Sequence, residues 1–217
     1  MAQYLDKVEL FAGLDPARLA ALAQAAPLRT YRQGAIVVNE GDEGHGLFVV
    51  QSGALKAFLM DENGREITLS FLEAGDYFGE LALLDEAPRS ASVMALERSE
   101  LMQISRPAFL ALLKEDAECV TVLLRNLVGR IRSLTENVRG LALGDVFGRI
   151  VRLFESLAVE RDGHHWVERR MTQQEIANLV GASREMVNRI LRDLVVGGYI
   201  AVEPRGIILL KKFPARW

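Results

Sequence analysis

Arg184, Glu185 and Arg189 are the residues of this 217-residue chain whose types and spacing point most directly to a chemistry. Set at i, i+1 and i+5, they project from one exposed side of a helix near its start. A guanidinium bonds guanine O6 and N7 in bidentate fashion, and a carboxylate accepts from cytosine N4. Asn188, on the same helix, adds an amide suited to a base or phosphate contact. Thr172 and Ser183 are N-cap residue types. Together with Gln174 they suit phosphate contacts at helix starts, which fix register without reading sequence. The alternative is a solvated charged face whose Glu185–Arg189 pair contributes only about 0.2–0.5 kcal/mol.

A second cluster lies in Phe78–Ser92, FGELALLDEAPRSAS. Gly79 lets the backbone approach a ligand closely, and the N–H groups of Glu80, Leu81 and Ala82 open a short helical turn. Arg89 neutralises charge and bonds two oxygens at once, so the set reads as an anion cradle. Glu80 can accept from a ribose hydroxyl, and Ser90 can bond a phosphate oxygen or a base edge. The residues alone are equally consistent with Glu80 and Arg89 pairing with each other beside a turn.

The elements that must carry these residues follow from periodicity and punctuation. Thr172–Leu191, TQQEIANLVGASREMVNRIL, reads as helix-turn-helix: Gly181 supplies the turn, Ala177 the close crossing, and Ile176, Val187 and Ile190 the buried contacts. From Gly34 to about Ser105 the segments GAIVVNEGD, LFVVQSGALKAFLM, EITLSFLEAGD, ASVMALERS and ELMQIS predict successive strands, with Asn63-Gly64 as a hairpin turn. Several such strands imply a β-roll or barrel. Asp15-Pro16 starts an N-terminal helix, ARLAALAQAA.

Beyond Pro107 the chain turns helical. Val120, Leu124, Leu127, Ile131, Leu134, Val138 and Leu141 keep a 4-3-4-3-4-3 spacing, a heptad seam that predicts a coiled coil between two identical chains. A helix packed within its own chain is the alternative. Leu141–Gly144 then breaks the helix, and Asp145 caps the next, from Val146 to about Glu160. A polar loop, RDGHHW, precedes the helix-turn-helix. Tyr199–Val202 and Ile207–Leu210 follow it as a hairpin around Glu203-Pro-Arg-Gly206, a turn with a basic tip. The ensemble is a winged helix, and a dimer carrying two of them predicts a palindromic target.

The expected architecture is therefore α+β: residues 1–115 a β-roll domain, 116–141 a dimerisation helix, 142–145 a hinge, and 146–217 a winged helix-turn-helix. Composition narrows the functions open to it. Half of the residues are hydrophobic, but no run approaches eighteen apolar residues, and MAQYLDKVELF lacks the basic start and apolar run of a signal peptide. A cytoplasmic protein without membrane association is expected. Cys119 is the only cysteine, which rules out an intrachain disulfide and cysteine-based zinc or iron–sulfur sites; a buried thiol is expected. Residues 1–144 sum to −6 and residues 145–217 to +3, so the positive charge lies where phosphate binding is expected. His45, His164 and His165 are the only histidines, and the last two lie far from the roll in sequence, which disfavours a haem sensor. No metal-ligand cluster, nucleophile–base set or phosphate-binding Walker sequence appears, so no enzyme and no metal site are expected.

GELALL followed by PRSAS resembles the phosphate-binding cassette of cyclic-nucleotide-binding domains. SREMVNRIL resembles the recognition helix of the cyclic AMP receptor branch of the CRP/FNR superfamily of transcription regulators. The similarity covers nearly the whole chain in the same order: roll, cassette, long helix, hinge, winged helix. It implies a homodimeric regulator in which Gly79, Glu80, Arg89 and Ser90 hold the ribose-phosphate of cAMP. It also implies that Arg184, Glu185 and Arg189 read a half-site of an inverted repeat similar to TGTGA-N6-TCACA. Residues 160–168 occupy the place of an RNA-polymerase-contacting loop, although Trp166 can instead pack on its own domain. The family's two adjacent hydroxyl residues on the long helix correspond here to Leu134 and Thr135, which leaves Thr135 alone to meet a base. That departure keeps open cyclic di-GMP, or no ligand at all, and predicts DNA binding less dependent on ligand. At Asn188 the branch carries glycine.

Overall fold

In a computed structural model, which describes residues 2–161, 163–204 and 206–214, the chain forms two units, Met1–Arg130 and Ile131–Trp217. The first opens with α1 (Ala2–Leu5), a 3-10 turn (Glu9–Phe11) and α2 (Pro16–Ala25). Asp15 caps α2 as expected, its Oδ1 accepting from the Ala17 N–H at 3.2 Å, and Pro16 takes the first turn, where no intrahelical N–H bond is required.

Eight strands follow: β1 (Leu28–Tyr31), β2 (Ile36–Val38), β3 (Gly46–Ser52), β4 (Leu55–Met60), β5 (Glu66–Leu72), β6 (Tyr77–Phe78), β7 (Ser92–Ala95) and β8 (Ser99–Ser105). They pair antiparallel in two four-stranded sheets, ordered β1-β8-β3-β6 and β2-β7-β4-β5, which make the expected roll. The run LFVVQSGALKAFLM, read from sequence as one strand, is two. Gly53, at φ +93, turns the chain so that β3 and β4 enter different sheets. The strands β1 and β6 were not legible: the former is mostly exposed and is held by its ladder to β8, Leu28 opposite Met102.

Strand β3 is buried on both faces, which is why it reads as a continuous apolar run. Phe48 and Val50 join Leu55, Phe78, Val93 and Leu101 in a core uniting the two sheets. Leu47 and Val49 face the other way, into a core with Leu10, Phe11, Met102, Ile104 and Phe109. The short helix α3 (Leu81–Leu84) interrupts the strands, and α4 (Arg106–Glu115) follows β8 with Ser105 as its N-cap.

Helix α5 (Ala117–Leu143) runs for 27 residues, two beyond the expected break at Leu141, so only Gly144 and Asp145 separate it from α6 (Val146–Leu157). Of the expected seam, Leu124, Ile131, Leu134, Val138 and Leu141 are exposed, and Val128 joins them. Leu127 instead packs against the core of its own roll, and Val120 is half-buried. Packing within the chain thus takes part of the surface of Leu127, which spacing alone assigns to a partner.

The second unit continues with α6, whose cap is Asp145, its Oδ1 accepting from the Gly148 N–H at 2.7 Å. It ends at Leu157, short of the expected Glu160. The segment read as a polar loop is a hairpin, β9 (Val159–Arg161) and β10 (His164–Val167), with Asp162 outside the described residues. Tertiary pairing overrides its polarity, since β10 ladders with β12 and Trp166 lies opposite Ile208. After α7 (Gln173–Val180) and α8 (Arg184–Val196) come β11 (Ile200–Glu203) and β12 (Gly206–Leu209), giving a four-stranded sheet ordered β11-β12-β10-β9. The basic tip expected at Arg205 lies outside the described residues. Phe147, Ile150, Phe154, Ile176, Val187 and Leu194 anchor this unit's core.

Candidate functional site

The cassette of the roll is organised around two buried charges. Arg89 is 6% exposed and donates from Nη1 to the Gly79 carbonyl and from Nη2 to the Gly46 carbonyl, both at 2.7 Å. Its backbone ties the loop down: the Arg89 N–H donates to the Asp42 carbonyl, and the Arg89 carbonyl accepts from the Gly41 N–H. Gly79 is obligatory twice over, because its φ is +89 and an added Cβ would lie 2.3 Å from Arg89 Nη1. Glu80 is 1% exposed and sits at the N-cap of α3, where Ala82 is buried and Leu81 exposed.

The expected alternative, an ion pair between Glu80 and Arg89, is replaced by a different arrangement. Glu80 Oε1 pairs with Arg130 Nη1, while Arg130 Nη2 donates to the Tyr77 carbonyl at 2.9 Å. Asn126 Nδ2 donates to the Tyr77 hydroxyl at 3.2 Å. Arg130 escaped the sequence reading because no motif marks it. The available signal was positional: Leu123, Asn126, Leu127 and Arg130 recur at helical spacing on the face of α5 that packs on the roll.

Two atoms of this site are buried without a hydrogen-bond partner, Glu80 Oε2 and Arg89 Nε. One is an acceptor and the other a donor. Burial raises the Glu80 pKa, opposed by the Arg130 and Arg89 charges and a backbone hydrogen bond. Burial also lowers that of Arg89, with Glu80 and Asp42 pulling back. Ser90 is exposed beside Arg89. Thr135 falls in the second unit, exposed on α5, with its hydroxyl donating to the Ile131 carbonyl at 2.9 Å.

In the second unit, Thr172 and Glu175 form a capping box: Thr172 Oγ1 accepts from the Glu175 N–H at 3.1 Å, and Glu175 Oε2 from the Thr172 N–H at 2.6 Å. Gly181, at φ +59, closes α7, and Ser183 Oγ caps α8 by accepting from the Met186 N–H at 3.2 Å. Arg184, Glu185 and Arg189 are exposed on α8, above buried Val187 and Ile190. Arg189 Nη2 lies 2.8 Å from Met186 Sδ. Gln174 is exposed and donates from Nε2 to Asn178 Oδ1 at 2.8 Å. Asn188 is half-buried and accepts from Gln173 Nε2, a partner that sequence reasoning did not single out.

Arg149 was also missed. Its guanidinium donates to the carbonyls of Val180 at 2.6 Å and Gly144 at 3.0 Å, bracing the turn before α8 against the end of α5. Trp166 is half-buried in β10, as its packing alternative anticipated. Among the described residues no helix is long and apolar enough to cross a membrane.

Comparison with known proteins matches a domain in each of the two units. Residues 28–116 match the cyclic nucleotide-binding domain, and residues 148–213 the Crp-like helix-turn-helix domain. The chain is 32% identical over 213 residues to a CRP-like cAMP-activated global transcriptional regulator of Mycobacterium tuberculosis, covering 96% of this chain and 95% of that relative. It is 33% identical over 188 residues to the cAMP-activated global transcriptional regulator Vfr of Pseudomonas aeruginosa, covering 83% of this chain and 88% of Vfr. Among solved structures, the c-di-GMP responsive global regulator CLP of Xanthomonas campestris superposes with a TM-score of 0.77 at 26% identity, covering 91% of this chain and all of that one. With a nucleotide-binding roll in one unit and a DNA-binding helix-turn-helix in the other, the chain belongs to the CRP/FNR family of transcription regulators and is not an enzyme.

Proposed function

We propose that this regulator acts in the cytoplasm as a homodimer whose DNA binding is controlled by cAMP. The observation that carries the ligand reading is the orphaned pair in the cassette. Glu80 Oε2 is an acceptor in want of a donor, and Arg89 Nε a donor in want of an acceptor. A ribose hydroxyl and a phosphate oxygen are of the matching kinds, and leaving both protein atoms unpaired costs about 1–3 kcal/mol each. Gly79 and the first turn of α3, Leu81 and Ala82 included, give the phosphate close backbone approach, Ser90 adds a hydroxyl, and Thr135 is the residue assigned to the base. The bound nucleotide supplies one negative charge and one hydroxyl donor. The protein supplies charges already stripped of water.

Dimerisation through residues 116–141 covers the exposed stripe Leu124, Val128, Ile131, Leu134, Val138 and Leu141. Two copies of α8 then approach an inverted repeat similar to TGTGA-N6-TCACA. Arg184, Glu185 and Arg189 read bases, Asn188 adds a contact, and Thr172, Gln174 and Ser183 hold phosphates. Residues 160–168 are the surface offered to RNA polymerase. The hinge expected at 142–145 shrinks to Gly144 and Asp145, the residues between α5 and α6.

A second reading draws on Leu134. An apolar residue where the family carries a hydroxyl strengthens the seam and removes a base contact, which favours cyclic di-GMP or activity without ligand. Calorimetric titration with cAMP and cyclic di-GMP, paired with operator affinity measured with and without each, separates the readings. Tight cAMP binding with enhanced operator affinity is expected. Binding of neither nucleotide overturns the ligand assignment.

A further inference from the structure

Gln173 is the first residue of α7, and Asn188 lies on α8 one turn beyond Arg184. Both are half-buried, and Gln173 Nε2 donates to Asn188 Oδ1 at 2.9 Å. A side-chain amide has a donor end and an acceptor end, so committing one decides what the other offers. With Oδ1 held by Gln173, Asn188 directs Nδ2 away from that partner. At i+4 from Arg184 and i+3 from Glu185, Asn188 shares the helix side that carries the base-reading residues.

We propose that Asn188 reads one further base in each half-site as a hydrogen-bond donor, and that Gln173 is the positioning residue that sets this polarity. The proposal rests on the DNA-recognition reading above. In the major groove a donor suits guanine O6 and N7, adenine N7 and thymine O4, whereas cytosine presents its own donor, N4. The signature is therefore exclusion of cytosine, by about tenfold, at one position per half-site. Polarity is fixed by a neighbour on another helix rather than by the reading residue itself. Changing that neighbour must then change the base.

The test is selection of operators from a randomised duplex library by the full-length protein with cAMP present, for wild type, Q173E, Q173A, N188D and R184A. A glutamate at 173 cannot donate. Asn188 then turns Nδ2 towards it and offers Oδ1 to the groove, so Q173E should favour cytosine where wild type rejects it. N188D presents only acceptors and should give the same inversion. Q173A frees the amide to turn, and discrimination should fall to about twofold. These variants alter the pair from both sides, so one that fails to fold leaves the others to decide. Retention of the wild-type base profile by Q173E and N188D, with R184A still relaxing its own position, refutes the Asn188 assignment and leaves the DNA-recognition reading standing. Selection of no inverted repeat by wild type with cAMP, with cyclic di-GMP or without nucleotide refutes both.

Discussion

The charges of the roll and those of the recognition helix are solvated in opposite ways. Glu80 and Arg89 are 1% and 6% exposed, and their geometry is over-determined by carbonyls, a glycine and Arg130. Arg184, Glu185 and Arg189 stand in solvent with little to hold them. A small ligand presents few contacts, so its site gains by desolvating charge beforehand. A polyanionic duplex supplies many contacts and long-range attraction, and its readers keep their hydration until the groove removes it.

That contrast is tested most severely at Arg89. Arg89→Leu strips donors from the Gly46 and Gly79 carbonyls, so chemical denaturation should show a loss of about 2–5 kcal/mol and calorimetry no nucleotide binding. Unchanged stability would mean that the buried charge is not structural. Next comes the seam. Ile131→Asp places a charge in the exposed stripe of α5 and should convert the proposed dimer to monomer in sedimentation, with operator affinity falling by about a hundredfold or more. At the helix surface the effect should be smaller and local. Arg184→Ala should cost about 1–3 kcal/mol at one base pair, without destabilising the fold; equal loss on every sequence would instead mark a phosphate contact.

The smallest effect is a pH slope. Burial raises the Glu80 pKa, so between the ordinary glutamate range and the raised value the folded state binds protons more readily than the unfolded chain. Stability from this group is complete below the ordinary glutamate range and declines as pH climbs above it. Glu80→Gln should flatten that decline in thermal unfolding of the nucleotide-free protein, whereas an unchanged slope would place its origin elsewhere.

What sequence could and could not reveal follows the same division. Caps, turns and local motifs were legible, because Asp15, Thr172, Gly181 and Ser183 act on neighbours within a few residues. Long-range partners were not. Arg130 meets Glu80 across fifty positions, Arg149 braces Val180 across thirty-one, and Gln173 holds Asn188 across fifteen. The hairpin β9–β10 was hidden for a related reason, since its strand character comes from pairing with β12. Heptad spacing located the stripe on α5 but was blind to Leu127, which the roll claims for itself.

Cys119 carries a consequence of its own. Its thiol donates to the Leu10 carbonyl at 3.2 Å, is 3% exposed, and is pushed up to about 11 in pKa by burial, with Asp116 adding to the rise. An alkylating reagent therefore reaches it only when the amino-terminal turn lifts from α5. With no other sulfhydryl in the chain, the labelling rate clocks that opening without any engineered probe. Nucleotides that quieten the roll should lengthen the interval between openings.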